Sequence, residues 1–228
     1  MKRRLFLQLG ATTSLLPLSP TSLFFRTPSG EEASLIEAFA NGNDISIKSL
    51  LERQEKDTKH PEYGAITNSY GTHNPQNTSS FLQRLSCGLV SEYSEFYQSE
   101  SLFEPMLRAS EYLLQAQHPD GTIDLHTTNF HSTPDLAFSV EPISLAYTLL
   151  RAYASSSTQT IQDNLQTYLE NAGQALSVGG IHTPNHRWVV CMALARVHHL
   201  FPNPAYEARI NEWLREKIDI DEDGQYTE

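Results

Sequence analysis

Apolar positions recur along this chain at three- and four-residue intervals, with little two-residue alternation, so the pattern predicts helices and few strands. Ser34 to Arg53 carries Leu35, Ile36, Ala38 and Phe39, then Ile45, Ile47, Leu50 and Leu51, with a turn expected at Asn41-Gly42-Asn43 between the two groups. Residues 54–78 are polar and rich in Gly, Pro, Asn, Thr and His, and read as a long loop. Helices are predicted over 79–97, 102–117, 135–155, 159–176, 184–200 and 204–218. A second long loop runs from His118 to Pro134, and Phe201-Pro202-Asn203-Pro204 parts the last two helices.

The pattern repeats. FEPMLRASEYLLQAQHPDGTI, from Phe103, aligns with YEARINEWLREKIDIDEDGQY, from Tyr206, pairing Phe103 with Tyr206, Glu104 with Glu207, Asp120 with Asp223 and Gly121 with Gly224. Between them, the helix ending near Leu176 is followed by Gly179-Gly180. Helix, glycine-bearing turn and helix in succession mark stacked helical hairpins. The fold class expected is all-α, with hairpin repeats forming either an α-solenoid or part of an (α/α) toroid. Long loops rich in His, Asn and Tyr favour the toroid.

The 228 residues are 39% apolar and 19% charged, a globular composition. A formal net charge of −11 disfavours a nucleic-acid partner but not an anionic substrate held by a local cluster of Arg and His. Lys2, Arg3 and Arg4 precede an apolar run of Leu5, Phe6, Leu7, Leu9, Leu15 and Leu16 that Pro17 and Pro20 interrupt. Residues 1–26 therefore read as a signal peptide of twin-arginine character, and 27–228 as the folded domain. Export to a bacterial periplasm or exterior is expected, with no stable membrane insertion after processing. The chain stops at DIDEDGQYTE, just after a loop signal, so this domain is expected to be the N-terminal part of a longer protein. Cys87 and Cys191 both lie in apolar helical patterns and read as free thiols rather than a disulfide.

Three loop clusters hold the candidate chemistry. The first is Tyr70-Gly71-Thr72-His73-Asn74. The second runs from Asp124 through His126, Asn129 and His131 to Asp135 and Glu141, and the third is His182-Thr183-Pro184-Asn185-His186-Arg187-Trp188. The second and third each follow a helix and a glycine turn, so they should meet on one face. In the third, Thr183 fits an N-cap and Pro184 the first helical position. Asn185, His186 and Arg187 would then join free N–H groups at the positive end of a helix dipole. Such a site suits a carboxylate. Removing the proton α to it needs a charge-neutralising group and a base, with an acid for the leaving oxygen.

Hairpins with Pro184-Asn185-His186-Arg187 opening a helix resemble the (α/α)-toroid polysaccharide lyases of the heparinase II/III and alginate lyase type. In that family an Asn and a His on toroid loops flank the uronate and a Tyr serves as acid. The resemblance spans about residues 30–228, half of a full toroid enzyme, without the family's C-terminal β-sandwich. It implies Asn185 and His186 as catalytic, with Tyr226 or Tyr70 as the Tyr. Arg187, His182, Asn129, His131, His126 and Trp188 are expected on the substrate, an acidic polysaccharide. No metal or other cofactor is expected. Asp219, Asp221, Asp223 and Gly224 fit the opening of a calcium loop, but the chain ends before the required twelfth position.

Plainer readings stand beside these. Trp188 falls on the apolar side of its helix, as core. His198 and His199 suit a helix C-terminus, and Asp120 and Asp223 suit turns. Two other functions remain open: a glycoside hydrolase using two of Asp124, Asp135 and Glu141, and a non-catalytic repeat protein whose loop clusters do not converge.

Overall fold

The computed structural model describes residues 29–217 and 221–225. The expected signal segment, Tyr226 and Asp219 lie outside them. The chain divides into two compact units, Met1–Ile36 and Glu37–Glu228. Helix α1 is Gly30–Arg53, followed by α2 Pro75–Val90 and α3 Phe103–Ala116. A two-stranded antiparallel ribbon, β1 Ile123–Leu125 and β2 Asn129–Ser132, leads into α4 Thr133–Tyr153. Then come α5 Gln159–Val178, α6 His186–Leu200 and α7 Pro204–Arg215. The described residues are thus all-α apart from the ribbon.

The helices of Glu37–Glu228 pack as three hairpins, α2–α3, α4–α5 and α6–α7. Their first members touch in sequence, α2 on α4 and α4 on α6; so do their second members, α3 on α5 and α5 on α7. The result is two rows of helices. Leu82, Leu85 and Leu89 of α2, Leu136, Val140 and Ile143 of α4, and Val190, Leu194 and Val197 of α6 are all buried. From the other row Met106, Leu113, Leu165, Leu169 and Leu176 meet them in one core. Tyr168 is fully buried and satisfies its hydroxyl on Ser139 Oγ at 2.7 Å.

Some element bounds differ from those predicted. The turn expected at Asn41-Gly42-Asn43 does not form, and α1 is continuous. Asn43 Nδ2 donates to Arg84 O at 2.9 Å, and the buried Asp44 accepts from Ser94 Oγ and the Glu95 N–H. These long-range bonds outweigh the roughly 1 kcal/mol that a helical glycine costs. Helix α2 begins four residues before the predicted start, because Asn74 caps it by accepting the Asn77 N–H and Pro75 fits the first turn. It also ends earlier, at Val90. Both cysteines are free; Cys191 is buried and Cys87 half-buried, and burial raises both thiol pKa values.

The internal repeat is real in backbone geometry. Gly121 and Gly224, 103 positions apart, have φ of 83° and 84°. The His118 N–H bonds to Thr122 O and the Gly121 N–H to His118 O; Asp221 with Gln225 and Gly224 with Asp221 make the equivalent bonds. In the first copy Asp120 ties the turn as expected, by accepting from the Thr122 N–H. In the second, the tying carboxylate is Asp221, not Asp223.

Gly121 also approaches α5 closely. A Cβ there would lie 2.5 Å from Asn171 O and 3.1 Å from the Ala175 side chain. Gly121→Ala is expected to destabilise by about 3 kcal/mol, combining a left-handed backbone with overpacking. Urea denaturation would show this as a lowered midpoint; an unchanged midpoint contradicts it.

Candidate functional site

All three loop clusters precede first-row helices. The first ends at Asn74, before α2; the second contains the ribbon and precedes α4; the third precedes α6. The second and third meet at the start of α4 around Asp135, which α2 also reaches through Gln76. Its carboxylate accepts from Ser132 Oγ at 2.5 Å, Asn129 Nδ2 at 3.1 Å and Gln76 Nε2 at 3.1 Å. Gln76 belongs to α2, Asn129 and Ser132 to the ribbon. Ser132 Oγ in turn lies 3.5 Å from His182 Nε2, and Thr133 Oγ1 donates to Gly180 O at 2.6 Å. One chain of hydrogen bonds thus links the first turn of α2, the ribbon and the loop before α6. The N-cap Ser132 also accepts the Asp135 N–H at 3.3 Å, so its hydroxyl caps α4 while donating to the Asp135 carboxylate.

The direction of these bonds sets how His182 can meet Ser132. Ser132 gives its only proton to Asp135, so toward His182 it acts as acceptor. Along the 3.5 Å contact His182 Nε2 is therefore the donor, and Nδ1 of this exposed imidazole points away from Ser132's partner network. His186 stands beside it, ring centroids 6.0 Å apart and edge to face, and packs edge-on against Phe138 at 6.3 Å. His186 Nδ1 is buried without a hydrogen-bond partner. Phe138 on α4 and Trp188 on α6 are exposed, as are Phe130 on β2 and Tyr70 on the first loop. Trp188, read from its helix face as core, is 38% exposed.

The start of α6 differs from expectation. Thr183 does not cap it; its hydroxyl bonds Asn185 Oδ1 at 2.5 Å, and α6 begins at His186 with Asn185 in the cap position. The N–H groups of His186, Arg187 and Trp188 are taken by the carbonyls of Thr183, Pro184 and Asn185. They are not available to an anion. Arg187 also turns away: it bonds Lys217 O and pairs with Glu216 at 3.1 Å, tying α6 to the end of α7. Asn185 stays exposed at the helix mouth. His126 is exposed at the tip of the ribbon turn. His198, which the sequence places at a helix end, accepts the Asn203 N–H through Nδ1.

A second arrangement lies at the base of the ribbon. His131 stacks on His118, centroids 3.9 Å apart and 15° from parallel. His131 Nδ1 meets Asp120 at 2.8 Å, and His118 Nε2 meets Asp124 at 2.8 Å. His131 has φ of 50° and its N–H donates to Asp124. Burial opposes ionisation of Asp124, but the His131 N–H and His118 ring outweigh it and lower its pKa. Asp120 is pushed from 3.8 down to about 2, chiefly by the Thr122 hydroxyl and N–H. Because the folded pKa is depressed, the stabilisation is complete above 3.8 and lost as pH falls through about 2. The Asp120 carboxyl resonance should therefore titrate near 2 by NMR; a midpoint near 3.8 would show that the turn does not hold it.

Among the described residues no helix is long and apolar enough to cross a membrane. No protein-family model matches this chain, and neither a curated protein nor a solved structure matches it.

Proposed function

We propose that the rim formed by the three loops is the substrate cleft of a carbohydrate-active enzyme, a polysaccharide lyase acting on a uronate-containing polymer. The observation that carries this reading is the Gln76/Asn129–Asp135–Ser132–His182 hydrogen-bond chain, which ends on an imidazole with an open nitrogen. A base oriented by a third group is the arrangement proton abstraction needs. His182 Nδ1 takes the proton α to the uronate carboxylate. The C4–O bond breaks as the double bond forms, and a tyrosine hydroxyl, Tyr226 by the sequence expectation, protonates the leaving oxygen. Asn185, exposed at the start of α6, faces the carboxylate as charge builds on it. Phe138, Trp188 and Phe130 offer exposed rings to the sugar faces.

This assignment moves the base from His186 to His182 and leaves Arg187 a structural role. The two-row hairpin packing is compatible with part of an (α/α) toroid, with the rim as its cleft. Hydrolysis fits less well. A general acid needs a carboxyl held protonated by apolar surroundings. Asp124 is shifted the other way, Asp135 is saturated with donors, and Glu141 pairs with Arg196 at 3.3 Å. The meeting of the second and third clusters at the start of α4 also favours a working cleft over a passive repeat surface.

The products test the reading. Incubated with uronate polysaccharides, the protein should release oligosaccharides lighter by one water than hydrolysis products. Products of hydrolytic mass would overturn elimination.

A further inference from the structure

We propose that Glu55, His60 and His73 form a binding site for a divalent cation of the zinc class, which staples the first rim loop to the start of α2. This rests on residues outside the proposed catalytic group and stands independently of it.

Two isolated antiparallel bridges, Gln54 with Ile66 and Thr67 with His73, fold the loop back on itself. The Glu55 N–H bonds to Ala65 O at 2.9 Å and the Gly64 N–H returns to Glu55 O at 3.0 Å. These bonds bring three residues far apart in sequence together. One donor atom from each lies within 4.8 Å of the other two. His73 Nε2 is 3.7 Å from Glu55 Oε2, and the His60 and His73 rings are 5.0 Å apart and tilted by 59°. Tetrahedral coordination with bonds of about 2.1 Å places donors about 3.4 Å apart, so a small contraction closes the site. Two imidazoles and one carboxylate suit zinc far better than magnesium or calcium, which prefer oxygen. Three protein donors leave a fourth position for water.

The surroundings fit. Glu55 Oε1 accepts the Asp57 N–H at 2.8 Å, which fixes the carboxylate and leaves Oε2 toward His73. The side chains of Glu55 and His73 are only 23% and 15% exposed. His73 directly precedes Asn74, the cap of α2, and α2 carries the Gln76 that reaches Asp135.

His60 supplies a specific signature. Its Nδ1 accepts the Glu62 N–H at 3.1 Å. A metal on Nδ1 takes that lone pair, and a metal on Nε2 forces the proton onto Nδ1. Either way the bond to Glu62 is lost on loading.

The test uses the chelator-treated protein titrated with Zn²⁺ against a chromophoric chelator. One equivalent should bind, and its Kd should weaken by more than about 100-fold in Glu55→Gln and in His73→Ala, beyond what outer-shell changes do. His199→Ala, at an exposed histidine elsewhere, should bind as the unaltered protein does. The Glu62 amide resonance should shift with loading. Zn²⁺ should raise the Tm of the unaltered protein and not that of Glu55→Gln, an isosteric change that keeps the Asp57 contact. Absence of stoichiometric binding, or binding that survives both substitutions, overturns the site.

Discussion

His182→Ala is expected to lower the rate of unsaturated-product formation by about 10³-fold, within the range for loss of a positioned general base. KM should change little, because the proposed proton transfer occurs in the transition state rather than in ground-state binding. The companion substitution is informative. His186 has one ring nitrogen buried and packs its ring against Phe138, so His186→Ala should act mainly by loosening the aromatic wall and raising KM. If His186→Ala instead removes kcat and His182→Ala leaves it intact, the base returns to His186. Ser132→Ala separates positioning from chemistry. It leaves both imidazoles in place but removes the Ser132 contact that orients His182, so it should lower kcat by a smaller factor than His182→Ala does.

Asp135→Ala is expected to cost about 3 kcal/mol of stability and to abolish activity. The carboxylate is buried and accepts from Ser132, Asn129 and Gln76; deleting it strands those donors and releases Ser132, the cap of α4. Asp135→Asn keeps one acceptor oxygen and should lose less. Urea denaturation with a product assay on the same preparations checks both. A neutral Asp135→Ala would mean that α2 and the ribbon are held together by other forces, and the cleft would lose its organising residue.

The helical framework was legible because burial on one face forces a 3.6-residue period, and α3, α4, α5 and α6 fall within two residues of their predicted ends. The turn glycines were legible too, since a left-handed backbone leaves few other choices at Gly121 and Gly224. The start of α2 was written in Asn74-Pro75, a cap followed by a first-turn proline, but the polar run around it hid the signal. Other features depend on distant partners. Asn41-Gly42-Asn43 would turn in isolation, and stays helical because Asn43 and Asp44 find bonds across the fold. Asp135 was singled out only as a carboxylate; its role as the joint between the ribbon and α2 depends on Gln76, 59 positions away. Glu55, His60 and His73 have no metal-ligand spacing within a helix, and only the two isolated bridges bring them together.

The central claim is that the rim removes a proton made acidic by a neighbouring carboxylate. Its most direct measurement compares double-bond formation, read by ultraviolet absorbance, on a uronate polysaccharide and on the same polymer with its carboxyl groups reduced to alcohols. Absorbance should rise with the uronate polymer and stay flat with the reduced one. Chain cleavage of both polymers at similar rates, or cleavage of the uronate polymer without the absorbance, would contradict the account.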